Sequence, residues 1–382
     1  MKIAFLTSEY PHPKTNFSAG IGSSIMNLSK GLRQLGHQVT IVIYGQDKDE
    51  FFEDDSFRYY KIKNPKLKGI SRLLTQKKIQ KLLNLLIAKG EIDVVEAVDW
   101  TGITSEIKLN CPLILKLHGS DTYFCHLDNR PVKPINKRHE KKAIQNADAI
   151  ISVSQYTAEV TKQLFSLNKE IKVIPNGIDL NQFSVNETNR IDENTILYFG
   201  TLIRKKGLLE LPLIFNEVYK KNNEAKLILI GKDASDILTG SSSTWDIMKP
   251  LFTIEALQNV HYLGSVPYNE IKNHIDSAAV CVFPTFAEAL PVSWLEAMAM
   301  QKAIVASDIG WASEIIENEV NGFLVHPKHH NEYANRILEL LDNPNRRIQF
   351  GVEARKKVEQ QFSVEVVSKQ NADFYKKRND RT

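Results

Sequence analysis

The chain alternates between short runs of consecutive apolar residues and longer segments in which apolar residues recur every three or four positions. Uninterrupted apolar runs predict strands buried on both faces, and the longer segments predict amphipathic helices. This alternation is typical of an α/β protein with parallel sheets. The predicted strands are 2–7, 39–44, 94–96, 113–117, 149–154, 196–199, 226–230, 280–283 and 302–306. The predicted helices are 24–35, 70–86, 138–146, 208–220, 267–278, 292–300 and 355–374.

The segment 281–308, CVFPTFAEALPVSWLEAMAMQKAIVASD, predicts a strand, a loop, a helix and a second strand. Glu288 lies in the loop and Glu296 in the helix, with seven residues between them. Open parallel sheets bind ligands outside the carboxyl ends of their strands, where this loop is placed. Taken alone, however, the pair is better explained by a helix cap and a solvated helix face.

The first half opens with a strand, the glycine-containing segment AGIG at 19–22, a helix and a second strand. A dinucleotide-binding fold has the same order, but its G-x-G-x-x-G motif follows the first strand directly. Here the glycines come about a dozen residues later. The spacing therefore disfavours a nicotinamide dinucleotide site.

Two further candidates follow predicted strands. His118 comes directly after strand 113–117, where a ligand-binding side chain and a simple turn cap are both open interpretations. The segment GTLIRKKG at 200–207 follows strand 196–199, and its cations suit either an anionic ligand or a solvated turn.

The segment VIPNGID at 173–179 contains Pro175 and Gly177, which interrupt regular structure as a hinge requires. We therefore place a domain boundary near Asp179. The length of 382 residues accommodates two domains of ordinary size.

Composition indicates a soluble globular protein, with 42% hydrophobic and 25% charged residues. The three cysteines have no metal-binding spacing, which favours reduced thiols and a cytoplasmic location. No apolar stretch reaches 18 residues, and the first residues are too short an apolar run for a signal peptide. The net charge of +4 implies no particular partner, and no nucleic acid is expected.

Charge is unevenly distributed in the first half. Segment 58–89 contains ten Lys or Arg and no acidic residue, with apolar residues at helical intervals. A solvated basic face and a docking face for an anionic membrane are both open. The preceding segment 46–55 is predicted to be an acidic loop, in which Asp47-Lys48-Asp49 is interpreted as a solvated turn rather than a metal motif.

These motifs together resemble the retaining family 4 glycosyltransferases of GT-B fold. The resemblance is carried by EALPVSWLEAMA, KAIVASDIGWASEIIENEVNGFLV, PNGID and the K-G of GTLIRKKG, and it extends over nearly the whole chain. It implies two Rossmann-like domains with mostly parallel, doubly wound sheets facing across a cleft. The implied domains are 1–179 on the acceptor side, 180–360 for the nucleotide sugar, and a C-terminal helix in 361–382 that returns to the first domain.

The resemblance also assigns roles. Glu288 contacts the donor sugar, Glu296 contacts the nucleotide ribose, and Lys206 neutralises the diphosphate. Thr201 stands where the family has an arginine, and Arg204 is the expected substitute. The implied catalytic residues are His118, Lys206 and Glu288; the implied donor-binding residues are Gly20, Gly22, Thr201, Arg204, Lys206, Leu290, Val292, Ser293 and Glu296; and Asp121 lies on the acceptor side.

The implied activity is transfer of a sugar from a nucleotide diphosphate sugar to an acceptor hydroxyl with retention, in the synthesis of a cell-surface polysaccharide or glycolipid. The acceptor is a glycan or a lipid-linked molecule, and no metal or other cofactor is expected. The expected location is cytoplasmic, with peripheral attachment to the membrane as a further hypothesis. Two alternatives stay open, namely a nucleotide-sugar 2-epimerase and an inactive membrane-associated binding protein of the same fold.

Overall fold

A computed structural model describes residues 1–16, 18–55, 57–185 and 191–380. The chain divides into two compact units, Met1–Gly177 together with Phe362–Thr382, and Ile178–Gln361. The strands are β1 (Lys2–Thr7), β2 (Gln38–Gln46), β3 (Glu50–Asp54), β4 (Phe57–Lys63), β5 (Val94–Val98), β6 (Leu113–Leu117), β7 (Ala149–Ser152), β8 (Lys172–Val173), β9 (Asp192–Phe199), β10 (Lys226–Ile230), β11 (Val260–Tyr262), β12 (Ala278–Phe283), β13 (Ala303–Ser307) and β14 (Phe323–Val325). The helices are α1 (Gly20–Gln34), α2 (Ser71–Ala88), α3 (Asp121–Leu127), α4 (Pro134–Asn146), α5 (Gln155–Phe165), α6 (Leu211–Lys221), α7 (Thr244–Met248), α8 (Ile254–Leu257), α9 (Tyr268–Ser277), α10 (Val292–Ala299), α11 (Ala312–Ile315), α12 (His330–Asp342), α13 (Pro344–Lys357) and α14 (Val364–Asn379).

The first unit contains an eight-stranded sheet in the order β3-β4-β2-β1-β5-β6-β7-β8. All neighbouring strands are parallel except β3 and β4, which form an antiparallel pair at one edge. Apolar cores cover both faces of the sheet, as the continuous apolar strands predict. Helix α14 belongs to this unit, and the Tyr375 hydroxyl donates to a Glu96 carboxylate oxygen at 2.5 Å.

The second unit contains a six-stranded parallel sheet in the order β11-β10-β9-β12-β13-β14. Strands β9 and β12 are neighbours in its centre, and the pairing of Cys281 with Leu197 sets their register. Parallel pairing brings the carboxyl ends of these two strands to the same edge of the sheet. Their following loops, which contain Lys206 and Glu288, therefore lie side by side.

All nine predicted strands are present, but two predictions about local structure are wrong. Segment 46–55 is not simply a loop, because Glu50–Asp54 forms strand β3 against Phe57–Lys63. Its charged residues argue against a strand, yet Phe52 stacks on Tyr59 with ring centroids 4.7 Å apart and supplies the missing apolar contact.

The first helix begins at Gly20 rather than at residue 24, so Gly20 and Gly22 lie within its first turn. The Glu9 carboxylate accepts the backbone N–H groups of Ala19 at 3.1 Å and Gly22 at 2.7 Å. Satisfying these N–H groups at the positive end of the helix dipole stabilises the earlier start.

Among the described helices, none combines the length and the apolar character needed to cross a bilayer.

Candidate functional site

An ion pair lies at the carboxyl edge of the second unit's sheet. Lys206 Nζ is 2.8 Å from Glu288 Oε1, and both side chains are largely buried. Lys206 ends a short turn after β9, and Glu288 lies in the loop after β12. The structure therefore brings together two residues that are 82 positions apart in the sequence.

The two loops are held together by backbone contacts. The Phe286 N–H donates to the Lys205 carbonyl at 2.8 Å. Gly207 has a φ of +73°, and a Cβ at this position would lie 1.7 Å from the Pro284 carbonyl oxygen. Only glycine fits so close an approach, which explains the glycine after Lys206.

Glu288 is ionised in this setting. Burial acts to raise the pKa of its carboxyl, but the nearby charges of Lys206 and Lys205 outweigh that effect, and the pKa lies below its usual range. The edge of the sheet therefore presents a carboxylate and an ammonium in direct contact. Such a pair can bind sugar hydroxyls through one member and a phosphate through the other.

Glu296 lies within α10 and is buried. The Tyr268 hydroxyl, at the start of α9, donates to Glu296 Oε1 at 2.6 Å. Burial raises the pKa of Glu296 to about 7, although Tyr268 and Lys206 both act to lower it. Nothing in the sequence around Tyr268 identifies it as a partner of Glu296.

Arg204 is held by a residue that sequence reasoning missed. Its guanidinium donates to both carboxylate oxygens of Asp236, from Nε at 2.7 Å and from Nη2 at 2.8 Å. This hydrogen bonding, with the charge of Arg204, places the pKa of Asp236 far below its usual range. Thr201 contributes its carbonyl oxygen to the same region, where it accepts from the Tyr198 hydroxyl at 3.0 Å.

The remaining predicted donor-binding residues lie at the start of α10. Leu290 is buried in the loop, and Val292 and Ser293 are the first helical residues after Pro291. The N-cap residue of this helix, Pro291, has no side-chain hydrogen bond to offer the first turn. The first-turn N–H groups of a helix have no intrahelical acceptor and suit an anion such as a phosphate.

In the first unit, His118 directly follows β6 as predicted, and it is paired with Asp99 at the end of β5. The His118 backbone N–H donates to Asp99 Oδ1 at 3.0 Å. Within the described parts of the chain, His118 Nε2 and Asp99 Oδ2 have no hydrogen-bond partner, although both atoms are buried. Asp99 is not among the predicted site residues. The available signal in the sequence was its position at the end of a strand, directly before an aromatic residue.

Burial dominates the electrostatics of this pair. It lowers the pKa of His118 well below its usual value, and the positive charge of Lys116 adds to the effect. Burial raises the pKa of Asp99 to about 7, against the hydrogen bond from His118. His118 is therefore a neutral imidazole at neutral pH, and Asp99 is divided between its two protonation states.

Asp121 is the first residue of α3 and is engaged locally. The Asn136 side chain donates to Asp121 Oδ2 at 2.9 Å, and Arg130 lies 3.8 Å from Oδ1. Its predicted contact with an acceptor remains a prediction.

Gly20 and Gly22, in the first turn of α1, differ in their surroundings. Among the described residues, no atom lies within 4 Å of a Cβ built on Gly20, whereas a Cβ on Gly22 would lie 2.4 Å from Ser18 Oγ and 3.2 Å from Tyr10 Cα. Gly22 is therefore required by packing, and Gly20 is not. Space beside Gly20 is compatible with a ligand that approaches the backbone.

The segment Asp47-Lys48-Asp49 is tied to basic residues. Asp47 pairs with Lys61 at 3.0 Å, and Asp49 pairs with Lys78 at 2.6 Å. Among the described residues, no three His, Cys, Asp or Glu side chains are grouped so that they could hold a metal ion.

Comparison with known proteins identifies a family for both halves of the chain. The model "Glycosyltransferase Family 4" matches residues 18–182, and "Glycosyl transferases group 1" matches residues 181–357. An uncharacterized glycosyltransferase of Methanocaldococcus jannaschii is 27% identical, with 98% of each chain covered. Alpha-maltose-1-phosphate synthase of Mycolicibacterium smegmatis is 25% identical, with 99% of each chain covered.

Solved structures agree on the fold. Sucrose-phosphate synthase from Thermosynechococcus elongatus superposes with a TM-score of 0.83 at 19% identity over all of both chains. Anabaena HepE, solved in complex with UDP-glucose, superposes with a TM-score of 0.76 at 20% identity, covering 99% of this chain and 100% of that one. The predicted α/β class of GT-B type is confirmed.

Proposed function

The chain belongs to the group 1 glycosyltransferases of family 4, and we propose that it transfers a sugar from a nucleoside diphosphate sugar to a hydroxyl of a glycan or lipid-linked acceptor, with retention at the anomeric carbon. The observation that carries the proposal is the Lys206–Glu288 ion pair at the carboxyl edge of the second unit's sheet. The UDP-glucose bound by HepE supports a nucleoside diphosphate sugar as donor.

Lys206 supplies the positive charge that stabilises the departing diphosphate, together with the N–H groups at the start of α10. Glu288 binds hydroxyls of the transferred sugar and holds Lys206 in place. The acceptor oxygen bonds to the anomeric carbon on the face from which the diphosphate leaves, and a diphosphate oxygen takes the acceptor proton. Retention follows because attack and departure share one face.

The neutral His118 imidazole and Asp99 contribute hydrogen bonds to sugar hydroxyls at the first unit's sheet edge. A neutral imidazole suits this task, because it adds no positive charge beside a sugar that develops positive charge at its anomeric carbon.

The test incubates the purified protein with UDP-, GDP- and ADP-sugars and follows nucleotide release and sugar products. Release that depends on Lys206 and Glu288 supports the proposal. Interconversion of free nucleotide sugars without transfer would instead indicate an epimerase. Nucleotide binding without any turnover would indicate an inactive binding protein.

For the place of action, we propose that one face of α2 docks on an anionic membrane. Leu73, Lys77, Lys81 and Leu85 recur every four residues, and all four are exposed, with 41% of Leu73 and 52% of Leu85 accessible. A stripe of leucines and lysines suits insertion among anionic headgroups. Lys78, on the neighbouring face, is instead paired with Asp49.

This difference provides a matched test. Lys81→Gln is expected to weaken sedimentation with phosphatidylserine vesicles by about fivefold, since a lysine near an anionic bilayer contributes about 1 kcal/mol. Lys78→Gln changes the net charge equally but removes a lysine that is already paired, so its effect is smaller. Equal effects, or no binding of the parent protein at low salt, would contradict the docking proposal.

A further inference from the structure

We infer that Tyr268 is a positioning residue for nucleotide binding, which holds the Glu296 carboxylate so that its second oxygen accepts a hydrogen bond from a ribose hydroxyl. The inference rests on the proposed function, in which the nucleotide part of the donor binds at the second unit. It concerns Tyr268 itself, which sequence reasoning did not select. The chemical class of ligand is a ribonucleoside diphosphate.

Among the described residues, the Glu296 carboxylate accepts a hydrogen bond at Oε1, and no donor is bonded to its second oxygen. Tyr268 Oη donates to Glu296 Oε1 at 2.6 Å, a short hydrogen bond of the kind formed to charged acceptors. Tyr268 begins α9 and Glu296 lies in α10, the helices that precede and follow β12. The hydrogen bond therefore crosses between two consecutive helices and fixes the direction of the Glu296 side chain.

The ring of Tyr268 is itself fixed by packing. It meets Phe183 edge to face, with ring centroids 5.9 Å apart and an angle of 69° between the ring planes. An aromatic ring held in this way loses few conformations when its hydroxyl forms a hydrogen bond. Glu296, which has a flexible side chain, gains a defined orientation before any nucleotide arrives.

The ionisation of Glu296 also depends on the Tyr268 hydroxyl. Burial disfavours an ionised Glu296, while Tyr268 and the Lys206 ammonium favour it. Burial raises the pKa of Tyr268, and the negative charges of Glu296 and Asp179 add to this effect, so the phenol stays protonated. Tyr268 therefore remains a hydrogen-bond donor. When its hydroxyl is removed, Lys206 is the remaining group of this set that favours the ionised form of Glu296.

A purely structural role for Tyr268 predicts different behaviour. In that case the hydroxyl would only join α9 to α10, and its loss would lower thermal stability without changing the pH dependence of nucleotide binding. The positioning role predicts that the pH dependence itself moves. Because a carboxylate binds the ribose best when ionised, affinity falls as the pH drops through the pKa of Glu296. Loss of the phenol raises that pKa and moves the fall to higher pH.

The experiment measures binding of UDP by titration calorimetry between pH 6 and pH 9, with GDP and ADP used if UDP does not bind. Tyr268→Phe retains the ring and its packing on Phe183. We expect its dissociation constant to rise about tenfold at pH 7, with the midpoint of the pH profile displaced upward. The same substitution in a Glu296→Gln background is expected to have little further effect.

Two controls separate the explanations. The Tyr333 hydroxyl is also buried in the second unit and donates to the Val305 carbonyl at 2.6 Å. Tyr333→Phe is expected to lower the melting temperature without moving the pH profile. One of the two analogues 2′-deoxy-UDP and 3′-deoxy-UDP lacks the ribose hydroxyl that Glu296 contacts. Tyr268→Phe should cause no additional loss of affinity for that analogue.

The outcomes distinguish this inference from its premise. If the parent protein binds none of the three nucleotides, the proposed function fails. If the parent binds a nucleotide while Tyr268→Phe binds it with the same affinity and pH profile, the positioning role is overturned and the proposed function stands.

Discussion

The carboxyl edges of the two sheets contain similar polar residues, which differ in whether their polar atoms have partners within the described parts of the protein. At the second unit's edge, Glu288 has an ammonium at 2.8 Å and Glu296 has a phenol at 2.6 Å. At the first unit's edge, Asp99 Oδ2 and His118 Nε2 are buried without a hydrogen-bond partner in the described parts of the chain. One edge is organised by internal pairs, whereas the other contains buried polar atoms that no described residue satisfies.

The difference has an energetic consequence. A buried polar atom without a partner costs about 1–3 kcal/mol, and such atoms in native proteins call for an explanation. A functional explanation fits Asp99 Oδ2 and His118 Nε2, because the two atoms lie at the ends of neighbouring strands. At the second unit's edge, Lys206 and Glu288 are paired, so this cost is smaller there. Their charges are in place before any ligand binds, as preorganised electrostatic stabilisation requires. The two edges therefore predict different responses to mutation.

The largest expected effect is at Lys206. Lys206→Ala should reduce kcat about 100-fold or more, because it removes the cation that we propose stabilises the leaving diphosphate. Arg204→Ala should reduce kcat less than tenfold, because the Arg204 guanidinium is already engaged by Asp236. Steady-state kinetics with the preferred donor measure both changes. Equal activity of Lys206→Ala and the parent protein would remove Lys206 from the mechanism.

The sequence could predict Lys206 and Glu288 because each lies in a recognisable motif next to a strand of continuous apolar residues. It could not predict Tyr268 or Asp236, which meet their partners from elements 28 and 32 positions away. Neither residue has a local pattern, and the choice of partner depends on how helices pack around β12 and loops pack beyond β10. Asp99 had a positional signal, but its unsatisfied oxygen is a property of the folded environment alone.

The next prediction tests the cost of the first unit's unsatisfied atoms. Burial raises the pKa of Asp99 to about 7, above its unfolded value near 3.8. The folded protein therefore binds this proton more tightly, so stability falls as the pH rises from 3.8 to about 7, and the loss levels off above that pH. Asp99→Asn removes this loss. We expect the variant to be more stable than the parent at pH 8 by on the order of 2 kcal/mol, with a smaller gain at pH 5.

The same variant should lose activity if Asp99 binds a sugar hydroxyl as proposed, because the carboxylate is then no longer present to accept that hydrogen bond. A gain in melting temperature with a loss of about tenfold in kcat/KM identifies a residue retained for function at the expense of stability. A fall in both quantities would instead show that Asp99 serves the fold by holding the turn at His118. The two edges would then differ in packing rather than in function.

The smallest expected effects are at Gly20 and Gly22, in the first turn of α1. Gly22→Ala would place a Cβ 3.2 Å from Tyr10 Cα, and overpacking of this kind costs about 1–3 kcal/mol of stability. Gly20→Ala meets no such obstacle, and alanine at a helical position is more favourable than glycine by about 0.5–1 kcal/mol. Thermal unfolding should therefore separate the two variants.

If the donor diphosphate approaches the backbone at Gly20, Gly20→Ala should weaken donor binding severalfold while leaving the protein at least as stable as the parent. Unchanged donor affinity in this stable variant would remove Gly20 from the proposed donor-binding residues, because a ligand that approaches the backbone there could not accommodate the added methyl group.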